Sequence, residues 1–251
     1  MKSITLIGSG NVATHLGLAL KKNNYQITQV YSRTLVNAEK LAGMLNAEAI
    51  NNLSELKIVD LIIISIKDNA IIKVIKKINN SPIVHTSGSV DLTIFGDKFK
   101  HCGVLYPLQT FNKNINLDFS NIPICIEANN KAFEQEIKRL ANCISNRVIC
   151  MTSKQRKQLH IAAVFSTNFS NHMFSIAEDL LNKSGVEFSI LLPLIQQTIK
   201  KLEKNKAKNV QTGPARRKDT AIIQDHLTNI EDENIRDIYQ KISENIIKEN
   251  E

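Results

Sequence analysis

The chain's strongest chemical signal is Gly8-Ser9-Gly10-Asn11-Val12-Ala13. The apolar run Ile4 to Ile7 breaks directly into this Gly-x-Gly-x-x-Ala, the pattern of a turn that cradles the phosphates of a dinucleotide. Gly8 permits the tight turn, Gly10 lets the backbone approach a pyrophosphate, and Ala13 leaves room for a helix to pack on a strand. The amides of the helix that opens there would face the phosphate with the positive end of its dipole.

A second group follows the next strand-like run, as Val30-Tyr31-Ser32-Arg33-Thr34. At this position a carboxylate would accept from a ribose 2′-hydroxyl and select NAD, whereas an arginine accommodates a 2′-phosphate. No carboxylate is in reach here. Ser32 and Thr34 offer hydroxyls, and Arg33 offers a planar guanidinium for phosphate or for stacking on adenine. The expected cofactor is therefore NADP(H).

Two further segments end strand-like runs. Ser65-Ile66-Lys67 is expected to border the nicotinamide ribose, and Thr86-Ser87, within His85-Thr86-Ser87-Gly88-Ser89, places two hydroxyls at the same edge. Either segment could instead be turn chemistry alone.

The second half carries one long stretch, from Lys157 to Glu178, with no formal charge between its ends. A surface helix of that length would show charges on its outer face, so this one reads as enclosed on all sides. At 100° per residue, Ala162, Phe165, Phe169, Met173, Ile176 and Leu180 share one apolar face. His160, Thr167, Asn171 and Ser175 share the opposite face, with Asn168 at its margin and His172 further round. An unsatisfied buried polar group costs about 1–3 kcal/mol, so the stripe needs partners, either a ligand in an interdomain cleft or the helices of another subunit. If it lines an oxidoreductase cleft, His160 is the candidate acid/base, because an unperturbed histidine titrates at about 6.5. Asn168 or Asn171 would orient a carbonyl or amide, and His172 is the second choice for proton exchange.

The elements that must position these groups fall into two patterns. Residues 3–7, 27–31, 60–65 and 83–86 read as strands, alternating with helices over 11–23, 35–46 and 68–78. The run Asp60-Leu61-Ile62-Ile63-Ile64-Ser65 is too apolar for a sheet with one wet face, so it belongs in a parallel sheet buried on both sides. Val104–Tyr106, Pro123–Glu127 and Arg147–Met151 supply further strands. This repetition is that of an α/β doubly wound domain. After Thr152 helical periodicity takes over, at 153–182, 187–205, 216–229 and 232–249, with Ser184-Gly185 closing the first helix. The expected organisation is a Rossmann-like dinucleotide-binding domain at 1–152 and a helical substrate or dimerisation domain at 153–251.

Composition narrows the function classes. The formal net charge is +8, but the densest basic stretches, Lys200–Lys208 and Arg216–Lys218, have no interleaved aromatics for base stacking, so no nucleic-acid partner is expected. Cys102, Cys125, Cys143 and Cys150 form no Cys-x-x-Cys pair and match no metal-ligand spacing. They read as reduced, mostly buried thiols, with no metal site. With no leader-like start and no apolar run of spanning length, the expectation is a soluble cytoplasmic protein that does not engage a membrane.

Five stretches together resemble a bacterial two-domain family, a coenzyme-F420-reductase-type NADP-binding domain followed by a helical domain (DUF2520). They are Gly8 to Ala13, His85 to Ser89, Gly103-Val-Leu-Tyr-Pro-Leu-Gln-Thr-Phe111, Ala162 to His172, and Gln211-Thr-Gly-Pro-Ala215 with Arg217 and Asp219. The family is similar in turn to pyrroline-5-carboxylate reductases, prephenate dehydrogenases and 6-phosphogluconate-type dehydrogenases. The resemblance implies NADP binding and a homodimer formed through the helical domain, but it supplies no substrate. Two departures stand out. Tyr106-Pro107 occupies the place of the His-Pro pair of prephenate dehydrogenases, and Lys218 stands where a glycine usually precedes the aspartate. Tyr106, Gln109, Asn171, His172, Arg217 and Asp219 are the expected substrate contacts, with Arg217 able to bind a carboxylate or simply to be solvated beside a capping Asp219. The reading is an NADP(H)-dependent oxidoreductase of a small, anionic carbonyl, imine or hydroxy-acid substrate. Its alternative is an NADP-binding sensor or regulatory protein without turnover.

Overall fold

Leu61-Ile62-Ile63-Ile64 lies where its composition demands, in the middle of a sheet with both faces covered. The computed structural model describes residues 1–78, 81–115 and 117–250. They divide into two compact units, Met1–Thr167 and Asn168–Glu251.

The first unit is built on eight strands: β1 (Ser3–Ile7), β2 (Gln26–Tyr31), β3 (Glu48–Ile50), β4 (Leu61–Ile64), β5 (Ile83–His85), β6 (Cys102–Pro107), β7 (Ile124–Ala128) and β8 (Val148–Cys150). Their order is β3-β2-β1-β4-β5-β6-β7-β8, and every neighbouring pair is parallel except β6 with β7. The chain order reverses between β1 and β4, and the crevice beyond the carboxyl ends of strands at such a switch point is where open α/β sheets bind ligands.

Side chains alternate across each strand. Leu61 and Ile63 point into one core with helices α1 (Asn11–Lys22), α2 (Leu35–Leu45) and, across the sheet, α4 (Lys131–Ile144). Ile62 and Ile64 point into the other, against α3 (Asp68–Ile75) and the 3₁₀ segment Leu92–Lys98. The strands expected from sequence are all present. Among the described strands and α-helices of this unit, the short β3 and the helix α4 escaped that reading. Helix α4 buries Phe133, Ile137, Leu140, Ala141 and Ile144 on one stripe and is capped by the Asn130 side chain.

After β8, Thr152 caps α5 (Ser153–Ala163), its side chain accepting from the Gln155 amide while Gln155 reaches back to the Thr152 amide. Val164–Phe169 then forms a π-helical turn. A π turn closes i→i+5 bonds and takes more residues per turn than an α-helix. A uniform 100° step therefore loses phase across it, which corrects the two-faced layout drawn from sequence. Within the chain itself no residue from 158 to 180 is buried, so the chain's own described residues do not supply the expected enclosure.

The second unit contains α6 (Ser170–Asn182), α7 (Leu192–Leu202), α8 (Pro214–Arg217), α9 (Thr220–Asn229) and α10 (Glu233–Glu249). Gly185, at φ +69°, follows the end of α6 as expected. The helix expected over 216–229 is broken: Lys218 adopts the left-handed conformation (φ 56°, ψ 36°), and Asp219 caps a new helix by accepting from the Ile222 amide. Among the described residues of this unit only Ala215, Ile230 and Ser243 are buried. No helix of the described residues is long and apolar enough to cross a membrane.

Candidate functional site

Gly8 sits at φ +121°, and a Cβ built there would lie 2.1 Å from the Ser65 carbonyl oxygen. Only glycine fits, because the turn needs a positive φ and the end of β4 closes over it. Its amide donates to Tyr31 O at 2.8 Å, tying the turn to β2. Two residues on, a Cβ on Gly10 would meet nothing within 4 Å. Gly10 is also the N-cap of α1 and no side chain caps that helix. The first-turn amides of α1 thus have no intrahelical acceptor and stand over open space, as a phosphate cradle requires.

The side chain of Asn11 points elsewhere. Its Nδ2 donates to Phe111 O at 2.8 Å and its Oδ1 accepts from Lys113 N at 3.4 Å. One turn on, His15 Nε2 meets Asn112 O at 2.9 Å, and its ring lies 5.4 Å from that of Phe111. The segment 111–113 is therefore strapped along the start of α1, and Asn11 can serve a cofactor only through its backbone.

At the end of β2, Ser32 is half-buried with its amide bonded to Ile50 O, while Arg33 and Thr34 are exposed. Thr34 precedes α2 without capping it. At the end of β4, Ser65 N donates to Ile7 O at 2.7 Å and Ser65 Oγ meets Thr86 Oγ1 at 3.1 Å, which joins the edges of β1, β4 and β5. Ile66 packs into the second core and Lys67 is exposed before α3. Ser87 Oγ accepts from the amides of Ser89 and Val90, which fastens the turn and leaves its O–H to donate.

Past that turn the sheet edge holds a pair. Tyr106, at the end of β6, places its hydroxyl 3.1 Å from Nδ1 of His160 on α5, with the rings edge-on at 6.0 Å. Gly88 is pressed against both: a Cβ there would lie 2.7 Å from His160 Nδ1 and 2.8 Å from Tyr106 Cζ. Burial pushes the Tyr106 hydroxyl up to about 12, helped by the Cys125 thiol and opposed by the Arg156 cation.

Arg156, one helical turn before His160, is fully buried. Both terminal nitrogens donate to Val90 O, at 2.9 and 2.8 Å, and Nη2 also reaches Glu127 Oε2 at 3.1 Å and Ser153 Oγ at 3.0 Å. Ser153 in turn donates from its amide and hydroxyl to the two Glu127 oxygens, at 2.8 and 2.7 Å. This network clamps α5 to β7 and to the turn that holds Gly88. Next to it His85 is fully buried and stacked on Phe95, and burial, then the Arg156 charge, drives it down to about 3.

Of the residues singled out from sequence, Tyr106 and His160 meet directly. Gln109 is exposed and turns back onto Thr110, its Oε1 accepting from that residue's amide at 2.8 Å. Asn168 and Asn171 are exposed in the helical unit, as are His172 and Arg217, and Asp219 serves as the cap of α9. Sequence reasoning missed Arg156 and Glu127. The available signals were a carboxylate ending an apolar strand and the Thr-x-x-Gln capping box that opens α5. Cys102 and Cys125 are buried, whereas Cys143 and Cys150 are exposed, which corrects the expectation for two of the four; all four are free thiols. Among the described residues no cluster of His, Cys, Asp or Glu could hold a metal.

Comparison with known proteins matches the chain in two segments. Residues 3–91 match the family described as NADP oxidoreductase coenzyme F420-dependent, and residues 122–246 match the domain of unknown function DUF2520. A solved Bacteroides fragilis protein, designated an NADP oxidoreductase, is 38% identical over 98% of both chains, with a TM-score of 0.91. The 1-pyrroline-5-carboxylate reductase of Streptococcus pyogenes is 15% identical over 99% of this chain and 97% of its own, with a TM-score of 0.64. A reductive aminase from Aspergillus terreus, solved with NADPH and ethyl-5-oxohexanoate, is 14% identical over 81% and 74%, with a TM-score of 0.63. None of the curated proteins matches the sequence. The glycine turn at the sheet's switch point and the helical second half, taken with these matches, place the chain in the DUF2520 family of Rossmann-fold NADP oxidoreductases.

Proposed function

We propose that this chain is an NADP(H)-dependent oxidoreductase acting on a small, anionic carbonyl, imine or hydroxy-acid substrate, as a cytoplasmic homodimer. The observation that carries this reading is the continuity of the sheet edge within one unit. It runs from the open cradle at Gly8 and Gly10, through the Ser65–Thr86 hydroxyl contact, to the Tyr106–His160 pair. Backbone amides from Gly8 to Val12 would hold the pyrophosphate, and the exposed Arg33, with Ser32 and Thr34, would take the 2′-phosphate. The bound cofactor would supply a hydride to the substrate carbon. The chain's own task is then to orient the substrate and manage one proton, and His160 is the group suited to that exchange.

The substrate class draws on the relatives: one is a pyrroline-5-carboxylate reductase, and another was solved with NADPH beside an oxo ester. The anionic preference draws on Arg217, exposed beside the capping Asp219. The dimer draws on the near absence of buried residues in the helical unit.

Calorimetric titration with NADPH and NADH, on the native protein and an Arg33→Asp variant, tests the reading. Micromolar NADPH binding, weaker NADH binding and at least ~10-fold loss of NADPH affinity in the variant are expected, since a charge-assisted phosphate contact contributes about 1.5–3 kcal/mol. Binding of neither nucleotide would sink it.

A further inference from the structure

We propose that Tyr106, rather than His160, delivers the proton to the substrate, and that His160 resupplies Tyr106 through Nδ1. The proposal rests on the oxidoreductase reading above and names the direct donor within that site.

Three observations set the order of the two groups. The Nδ1 edge of His160 is closed: Tyr106 Oη occupies it at 3.1 Å, and Gly88 approaches so tightly that not even a methyl group fits between. A substrate therefore cannot reach Nδ1 directly. Tyr106 itself is half-buried at the carboxyl end of β6, on the edge that continues from the phosphate cradle through Ser65 and Thr86. The far nitrogen of His160, Nε2, has no protein partner among the described residues and is not a buried atom, so it can exchange with solvent. Tyrosine faces the substrate side, and histidine links it to water.

The other titratable groups at this spot do not compete. His85 is fully buried, with Phe95 stacked on its ring and Arg156 beside it, and it stays neutral. Arg156 is committed to Val90, Glu127 and Ser153. The Cys125 thiol is buried, and burial pushes it up to about 11. Asp68 begins α3 on the adjoining edge and adds a weak negative potential at Tyr106.

In the step itself the carbonyl or imine carbon gains a hydride from the reduced nicotinamide, and the π electrons of the C=O or C=N bond move to oxygen or nitrogen. The Tyr106 O–H bond breaks and its proton joins that atom. The Nδ1–H of His160 passes to the phenolate oxygen, and Nε2 takes a proton from water. The nascent alkoxide or amide anion is far more basic than a phenolate, so a phenol held in its neutral form by burial still gives its proton downhill. Arg156 is a positioning residue in this scheme. Its clamp fixes the rotation of α5 one turn ahead, and that rotation aims Nδ1 at Tyr106.

The experiment pairs a ligand-free readout with a kinetic one. ¹⁵N resonances of the His160 ring are followed through a pH titration in native protein and in Tyr106→Phe. NADPH oxidation is then measured with pyruvate and 1-pyrroline as probes in native protein, Tyr106→Phe and His160→Asn. The expected result is a changed Nδ1 signal in Tyr106→Phe. In turnover, kcat should fall at least ~100-fold in Tyr106→Phe with KM little altered, the range of a lost general acid. In His160→Asn the fall should be smaller, and one limb of the pH profile should disappear. Unchanged Nδ1 signals, or Tyr106→Phe turning over at the native rate, would overturn the relay while leaving the oxidoreductase reading intact. Native protein that binds NADPH but oxidises it with neither probe would overturn both the relay and turnover itself for these substrate classes.

Discussion

The two units of this protein solve opposite problems. The sheet unit takes charged and polar side chains out of water and ties them to the fold: Arg156 is fully buried yet its terminal nitrogens bond to Val90, Glu127 and Ser153, while its Nε and His85 Nε2 are left without a hydrogen-bond partner among the described residues. The helical unit leaves apolar side chains in water, with Ile190 67%, Leu194 65% and Ile199 58% exposed. Buried polar groups are expensive when mistakes are made, so the first arrangement specifies one geometry. Contiguous exposed apolar surface is the kind that interaction faces carry. The first unit owns its core whereas the second buries little within the chain, and that contrast carries the proposal of a homodimer.

Charging the apolar surface puts this contrast under the greatest stress. An Ile190→Glu, Leu194→Glu double variant should convert a dimer of 28.2 kDa chains into monomers by sedimentation velocity while the sheet unit stays folded. A native protein already monomeric at micromolar concentration would remove the proposed dimer. Next in size, Arg156→Met strands Glu127 beside an apolar replacement and should cost about 3–5 kcal/mol in chemical denaturation. The counterpart in the helical unit, Lys183 paired with Glu231 at 2.8 Å, is exposed on both sides. Lys183→Ala should change nothing measurable.

Acid should also act on the sheet unit first. His85 titrates at about 3 in the folded chain, against an ordinary histidine value of 6.5. Because the folded value is the lower one, the unfolded chain binds the proton first. The stability that neutral His85 contributes is complete above pH 6.5 and drains as pH falls toward 3. By pH 4 the loss should reach ~3 kcal/mol, and His85→Phe, which keeps the stacking on Phe95, should flatten that limb. Asp91, held at about 2 by its bonds from Thr93 and by Lys157, adds its own loss only below its ordinary value of 3.8. A smaller effect lies at Lys218, whose φ of 56° is a left-handed conformation. Replacing it by glycine should stabilise the helical unit by ~1 kcal/mol, read as a rise in melting temperature.

Much of the sheet unit was legible because its signals are local. Gly8 and Gly10 report a backbone requirement in their own identities, and Leu61 to Ile64 report burial on two faces in their own composition. The tight turn before α1 followed from the first and the central strand from the second. The Tyr106–His160 contact joins residues 54 positions apart, and no periodicity connects them. Sequence placed each near a cleft but could not bring them together. Arg156 was invisible for a related reason: on a helix it reads as solvated, and only Glu127 and the Val90 carbonyl, supplied by β7 and a distant turn, make its burial possible. The π turn at Val164–Phe169 has no simple sequence signature, and the face assignment across it failed there. At Lys218 the departure from the usual glycine did mark a real feature, since the position requires the conformation that glycine adopts most cheaply.

The strap over α1 ties two parts of the candidate site to one stretch of chain. The peptide that leaves Tyr106 runs through Pro107 to Phe111, Asn112 and Lys113, which are bonded to Asn11 and His15. One end of this span therefore carries the phenol and the other is fastened to the helix whose amides would grip a pyrophosphate. Leu108 between them is also held, its amide donating to Pro123 O at 2.8 Å, so one short length of backbone sets the place of the Tyr106 hydroxyl and of the first turn of α1 together.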